Sequence, residues 1–256
     1  MTSLQFWNCR GTKKVEATLY LKEVIKDHRV FFVGLLETKI SSLDNSQILK
    51  ILGNNWSFFV VPAAKHSGGL MVLWRKDLAD FSVIEVSSQM VVGKLEVLGK
   101  GSWVVASVYG STNAFERKLL WYSLERHCSG DLPMGVGGDF NCVLYQDEKR
   151  GGKKFSLTQA SKDFHSFMIN NDLHEVRSMG PRFTWCNNKS ESTRILEKLD
   201  RCFIISSALN IIHLALVKHL SRIASDHCPI LLDIFKPVEF VKKISDMKKY
   251  GFLIMV

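Results

Sequence analysis

The chain has 256 residues, 46% hydrophobic and 23% charged, with a formal net charge of +9. That composition excludes extensive disorder and supplies enough apolar side chains for a substantial core, in one large domain or two small ones. The basic balance, with a pI near 9.2, favours a polyanionic partner such as nucleic acid or an anionic membrane and says nothing about fold. Cys9, Cys128, Cys142, Cys186, Cys202 and Cys228 are scattered, with no Cys-x-x-Cys pair. Neither a disulfide framework nor a zinc site is therefore expected, and a reducing intracellular compartment fits. The first residues lack a charged-then-apolar leader, because Leu4, Phe6 and Trp7 run straight into Asn8. The most apolar stretch, 203–217, is broken by Ser206, Ser207, Asn210 and His213 and is too short to span a bilayer. A soluble protein without a membrane partner is expected.

In chain order, residues 4–7 read as a strand and 15–28 as a helix, with Leu21, Val24, Ile25 and His28 at helical spacing. Residues 30–36 form a continuous apolar strand that stops at Glu37. Ser67-Gly68-Gly69 punctuates strands at 58–61 and 70–74 as a hairpin would. Strands follow at 81–86, 91–98 and 103–109. Asn113-x-x-Glu116 reads as a capping box opening a helix through Leu119, Leu120 and Leu124, and Ser156-x-x-Gln159 repeats the device ahead of Phe164, Phe167 and Met168. Later strands are expected at 183–186, 199–205, 214–217 and 229–235. Hairpins mixed with helices argue for mixed sheets, and no repeat or interdomain linker is visible. The tail from Lys236, with Lys242, Lys243, Lys248 and Lys249, reads as a basic appendage (237–256) to a domain spanning 1–236.

Polar, titratable residues stand at the ends of these apolar segments: Asn8, Glu37, Tyr109, Asp139 with Asn141, Asp200, and Asp226 with His227. Strand ends are where layered α/β folds present their chemistry. Carboxylates, amides, one phenol and one imidazole are the groups that metal-assisted phosphodiester hydrolysis requires. Hard oxygen ligands hold Mg²⁺, a carboxylate aligns water, and an Asp-oriented His binds or protonates phosphate. A lone Asp at a strand end is most often a turn or cap residue; here the set as a whole carries the reading. His165 and His213 are given no role, Trp185 reads as core rather than a stacking platform, and Lys39, Arg75, Lys76, Arg117, Lys153 and Lys154 read singly as solvated charges.

In this order the segments resemble the endonuclease/exonuclease/phosphatase family, which includes DNase I and the abasic-site repair endonucleases. The wording is most similar to the endonuclease domain of plant LINE-type (non-LTR) retrotransposons. The resemblance rests on Trp7-Asn8-Cys9-Arg10-Gly11, Leu36-Glu37-Thr38-Lys39, Ser67-Gly68-Gly69-Leu70, Val108-Tyr109-Gly110, Gly138-Asp139-Phe140-Asn141, Phe183-Thr184-Trp185, Lys198-Leu199-Asp200-Arg201 and Ser225-Asp226-His227-Cys228-Pro229.

The resemblance implies a DNase I-like α/β (α+β) fold, a four-layer sandwich of two mixed β-sheets flanked by helices. It implies an Mg²⁺-dependent endonuclease, with Mn²⁺ able to substitute, that nicks DNA (duplex by expectation) and leaves a 3′-hydroxyl. Its metal end would be Glu37 as direct ligand, with Asn8 and Asp226. Asp139 would align the attacking water, Asn141 and Tyr109 would hydrogen-bond the phosphate, and Asp200 would orient His227 against it. Three departures mark the chain. Arg10 stands where repair enzymes carry an acidic residue, the loop after Tyr109 reads Gly-Ser-Thr-Asn113, and Glu197 and Lys198 replace an aromatic lesion-pocket residue, which argues against abasic-site specificity. The alternatives are a phosphatase or phospholipase of the family acting on inositol phosphates or sphingolipids, and a catalytically silent nucleic-acid-binding copy. An intracellular location is expected, nuclear for action on genomic DNA. No protein partner is indicated.

Overall fold

A strand that is apolar at every position needs cover on both faces. β1 (Ser3–Asn8) and β2 (Val30–Leu36) are buried along their whole length. The computed structural model, which describes residues 3–12, 14–40, 52–63, 68–212 and 214–234, places them inside a seven-stranded sheet. Its order is β11 (Ser178–Met179), β15 (Leu216–His219), β16 (Ile230–Asp233), β1, β2, β4 (Leu70–Arg75), β3 (Trp56–Val61). A six-stranded sheet lies against it in the order β10 (Leu173–Glu175), β14 (Asp200–Ile205), β8 (Met134–Asp139), β7 (Gly101–Tyr109), β6 (Met90–Val97), β5 (Ala79–Val86). A small third sheet joins β12 (Trp185–Cys186), β13 (Leu196–Glu197) and β9 (Lys149–Arg150). The sheets are mixed, as expected: β1–β2, β7–β8 and β11–β15 are parallel within otherwise antiparallel neighbours.

Alternate residues of β1 and β2 go to different layers. Leu4, Phe6, Phe32 and Leu36 join the core between the sheets. Trp7, Val33 and Leu35 pack instead with Ala17, Tyr20, Leu21 and Val24 of α1 (Val15–Asp27) on the outer face. On the far side, α2 (Ala114–Cys128) and α3 (Gln159–Asn170) contribute Leu120, Trp121, Leu124, Phe164 and Phe167. Trp121 stacks on Phe164 with centroids 4.5 Å apart. Helix, sheet, sheet, helix gives the four layers expected from the resemblance. The sheets approach closely where Phe6 meets Gly137, at which a Cβ would fall 2.3 Å from the ring. The next residue, Gly138, has φ +144°, and a Cβ there would meet the Val108 carbonyl oxygen at 2.0 Å. Two glycines before Asp139 are thus a packing requirement.

Several local readings shift. Asn113 caps α2 by accepting from the Phe115 N–H, but Glu116 takes the Ser111 hydroxyl instead of closing a capping box. α3 is capped by Thr158, which accepts from the Ser161 N–H, so the expected cap at Ser156 lies two residues too early. Only Trp185–Cys186 of the strand expected at 183–186 is extended, and the strand expected at 214–217 is Leu216–His219. Ser67, His213 and the basic tail from Lys236 lie outside the described residues. All six cysteines are free. Among the described residues, no helix is long and apolar enough to cross a membrane.

Candidate active site

Strand register assembles the site. In the six-stranded sheet Tyr109 on β7 pairs with Asp139 on β8, and Asp139 pairs with Asp200 on β14, so three polar residues stand in one row. In the seven-stranded sheet Asn8 ends β1 opposite Leu36, and Glu37 follows at once. β16 runs antiparallel to β1 with Ile230 opposite Phe6, which brings the preceding loop, with Asp226 and His227, beside Asn8. The two rows meet at one end of the sandwich.

Their side chains form a connected array. Asn8 Nδ2 donates to Asp139 Oδ2 at 2.9 Å, and His227 Nε2 stands 3.7 Å from the same oxygen. The other ring nitrogen, Nδ1, faces the Asp200 oxygens at 3.0 and 3.2 Å. Asp139 Oδ1 accepts the Asn141 N–H at 2.9 Å. Asn141 Nδ2 donates to the Gly110 carbonyl oxygen at 2.8 Å and to Asp139 at 3.3 Å, which engages both of its hydrogens. Asn141 therefore braces Asp139, and a bond to phosphate through this amide requires one of these to be released. Asn8 likewise spends its amide on Asp139, and its Oδ1 accepts the Arg10 N–H at 3.3 Å.

Glu37 and Asp226 are joined through Arg10, whose Nε lies 3.2 Å from Glu37 Oε2 and 3.1 Å from Asp226 Oδ1. Lys39 Nζ adds a contact to Glu37 at 3.8 Å. Residues that the sequence reading treated lightly hold this end in place. Trp185 is half-buried and donates from Nε1 to Asp226 Oδ2 at 3.0 Å, so it is neither simple core nor a free stacking platform. Thr184, fully buried, accepts from the Leu199 and Asp200 N–H groups through Oγ1, and its carbonyl accepts from Cys228. It thereby ties β14 to the His227 loop. Ser225 donates to the Asn8 carbonyl oxygen at 2.7 Å. Thr184 and Trp185 lie in the Phe183-Thr184-Trp185 motif, but their partners are remote in sequence. Arg10, Glu37, Lys39, Asn141 and Ala224 all have positive φ, a concentration of backbone strain at one site.

Burial pushes the Asp139 carboxyl up to about 6, against the pull of His227. Burial alone would neutralise His227, but the charges of Asp200 and Asp139 and the bond to Asp200 outweigh it and raise the ring from 6.5 to about 9. Burial, reinforced by Glu37, Asp139 and Asp226, raises the Tyr109 phenol, which stays protonated and can donate to an anion. A ring whose pKa is raised on folding stabilises the fold fully below about 6.5 and loses that contribution as pH rises through about 9. Asp200→Asn should move the His227 titration, followed by NMR of the ring, well below about 9 and flatten the stability loss over that window. An unmoved titration would mean that Asp200 does not govern the ring.

Beneath the site, Arg201 is fully buried. Its guanidinium donates to Glu148 Oε1 at 2.8 Å and to both Glu175 oxygens at 3.0 and 3.1 Å. Enclosed in this way, it is not available to a substrate phosphate. Arg75 pairs with Asp77 at the opposite end of β4 from Leu70. Two polar clefts flank the array. One of about 470 Å³ is lined by Arg10, Lys14, Lys39, Asn188 and Asp226. The other, about 250 Å³, is lined by Asn141, Arg117, Lys149, Lys153 and Lys154.

A catalytic-type array at the joined ends of two stacked mixed sheets defines a DNase I-like phosphoesterase fold. The endonuclease/exonuclease/phosphatase family model matches residues 6–227, and the chain belongs to that family. The fold is similar to the endonuclease domain of TRAS1, a telomere-specific non-LTR retrotransposon, with TM-score 0.67 and 15% identity over 92% of this chain and 99% of that one. It is similar to an AP endonuclease from Leishmania major, with TM-score 0.69 and 13% identity over 92% and 88% of the chains. A 3′ phosphatase from Neisseria bound to a product DNA hairpin aligns with TM-score 0.67 and 13% identity over 92% and 100%. No curated protein sequence matches this one.

Proposed function

We propose that this chain is a divalent-metal-dependent endonuclease that nicks duplex DNA to leave a 3′-hydroxyl and a 5′-phosphate, the nick that primes target-site reverse transcription in a retroelement. The observation that carries the reading is the buried array Asn8–Asp139–His227–Asp200 beside the Glu37–Asp226 carboxylates, with basic clefts on both sides. Residues 1–236 are taken as the catalytic domain, and action on genomic DNA would place it in the nucleus.

Ligand atoms of Asp139, Asp200 and His227 lie within 4.8 Å of one another and could hold an ion. Asp200 and His227 already satisfy each other, however, and a cation there would break their bond. Glu37 and Asp226 fit better, since both are hard oxygen donors that already face a shared positive charge. Glu37 and Asp226 would hold Mg²⁺ or Mn²⁺, and the ion would supply positive charge against the scissile phosphate and the leaving oxygen. Asp139, braced by both asparagine amides, aligns and deprotonates the attacking water. The protonated His227 contacts a phosphate oxygen, and Tyr109 donates to another. Asp200 positions the ring.

Purified protein should convert supercoiled plasmid to open circle with Mg²⁺ or Mn²⁺ and be silent in EDTA. Glu37→Gln should lose most activity at ordinary Mg²⁺ and regain part of it at high Mg²⁺ or with Mn²⁺. Nicking in EDTA would remove the metal. A preference for inositol phosphates over plasmid would keep the phosphoesterase and remove the nuclease.

A further inference from the structure

Arg10 is placed by its backbone. The Cys9 N–H donates to the Leu36 carbonyl oxygen at 3.1 Å and the Thr12 N–H to that of Thr38 at 3.1 Å, so both sides of the turn are fastened to the segment carrying Glu37. The Arg10 N–H closes onto Asn8 Oδ1, and the residue is held at φ +50°, a conformation that costs an ordinary side chain energy and suits glycine. This turn projects the guanidinium between two carboxylates, one just past the end of β2 and the other in the loop that precedes β16.

The contact is one of charge more than of directed hydrogen bonding. Nε lies within 3.2 Å of a Glu37 oxygen and 3.1 Å of an Asp226 oxygen, yet it is buried without a well-aligned hydrogen bond to either. The carboxylates are 7% and 18% exposed, while the Arg10 side chain is 40% exposed and has open cleft beside it. Two poorly solvated anions thus share one loosely bonded cation with room to leave, and Lys39 Nζ, 3.8 Å from Glu37, is a more distant second charge. Trp185 and Ser225 hold Asp226 independently of Arg10, so the carboxylate stays in place without it.

We propose that Arg10 is a built-in counter-charge that competes with the divalent cation for Glu37 and Asp226, so that cation binding and release of the guanidinium into the cleft are one event. This rests on the assignment of the cation to Glu37 and Asp226 above. The consequence is a metal affinity set below what the two carboxylates would otherwise give, and a metal-free fold in which the two adjacent anions are not left with Lys39 alone to offset them.

Isothermal titration with Mn²⁺, without any substrate, tests it. Arg10→Gln should bind the ion about tenfold more tightly than wild type, the scale of two partly screened ion pairs. Its metal-free melting temperature should fall, and the rise on adding saturating Mn²⁺ should be larger than in wild type. Arg10→Lys, which keeps a charge, should stay near wild type, which a purely steric role would not require. Arg10→Gly, unstrained at positive φ, repeats the measurement should the Gln variant fold poorly. Unchanged or weaker Mn²⁺ affinity in the folded variants would overturn the role of Arg10 while leaving the metal in place. No Mn²⁺ uptake by wild type or any variant would overturn the metal assignment itself and this proposal with it.

Discussion

Asp139→Asn should lower plasmid nicking by about 10²–10⁴-fold, the usual contribution of a positioned proton acceptor. The substitution keeps the shape but removes the negative charge at the junction of the array. Asp139 accepts from the amides of Asn8 and Asn141 and from the Asn141 N–H, and its Oδ2 lies 3.7 Å from His227. An amide there cannot take a proton from water and would turn a donor toward one of these donors. His227→Ala should cost a similar factor by removing a cationic phosphate contact. Because both belong to one unit, the double variant should be scarcely slower than the worse single. Single-turnover rates at fixed Mg²⁺ settle it, and a loss of less than tenfold for Asp139→Asn would exclude that residue from the chemical step.

Glu148→Ala should have the largest effect on stability, about 3–5 kcal/mol, the cost of stranding a buried charge. Arg201 is completely enclosed and would keep Glu175 as its one carboxylate partner, with the Lys198 carbonyl oxygen beside it. Glu148 also accepts the Leu144 and Tyr145 N–H groups, so the loop leaving Asp139 and Asn141 would lose its anchor. Burial opposes the charge on Glu175, but Arg201 and Lys198 hold its carboxyl below the ordinary value, a sign that the network is favourable as it stands. Urea unfolding should show the midpoint displaced with little change in slope. A shift equivalent to under about 1 kcal/mol would mean that Glu175 and the Lys198 carbonyl oxygen suffice for Arg201.

Much of the site was legible because it is built on strand ends. Asn8, Glu37, Tyr109, Asp139 and Asp200 each mark the point where an apolar run meets the edge of a sheet, and the run itself is a one-dimensional signal. Caps were less legible. Ser156 and Thr158 are chemically alike, and the choice of Thr158 depends on where Phe164 and Phe167 must sit to meet Trp121.

By itself, the sequence determined the family, the mixed layered fold and the identity of the polar residues at its edge, since hydrophobic pattern and motif spelling are properties of neighbours along the chain. Tertiary structure alone decided what those residues do for one another. Arg201 and Arg10 look alike in sequence, each within two residues of a polar site residue, Asp200 and Asn8. One is sealed against Glu148 and Glu175, and the other stands half-open between Glu37 and Asp226. Asn141 became a brace because Gly110 lies within reach of its amide. The worth of a charge or an amide depends on burial and on partners tens to hundreds of residues away, and register between strands, not local spelling, sets those distances.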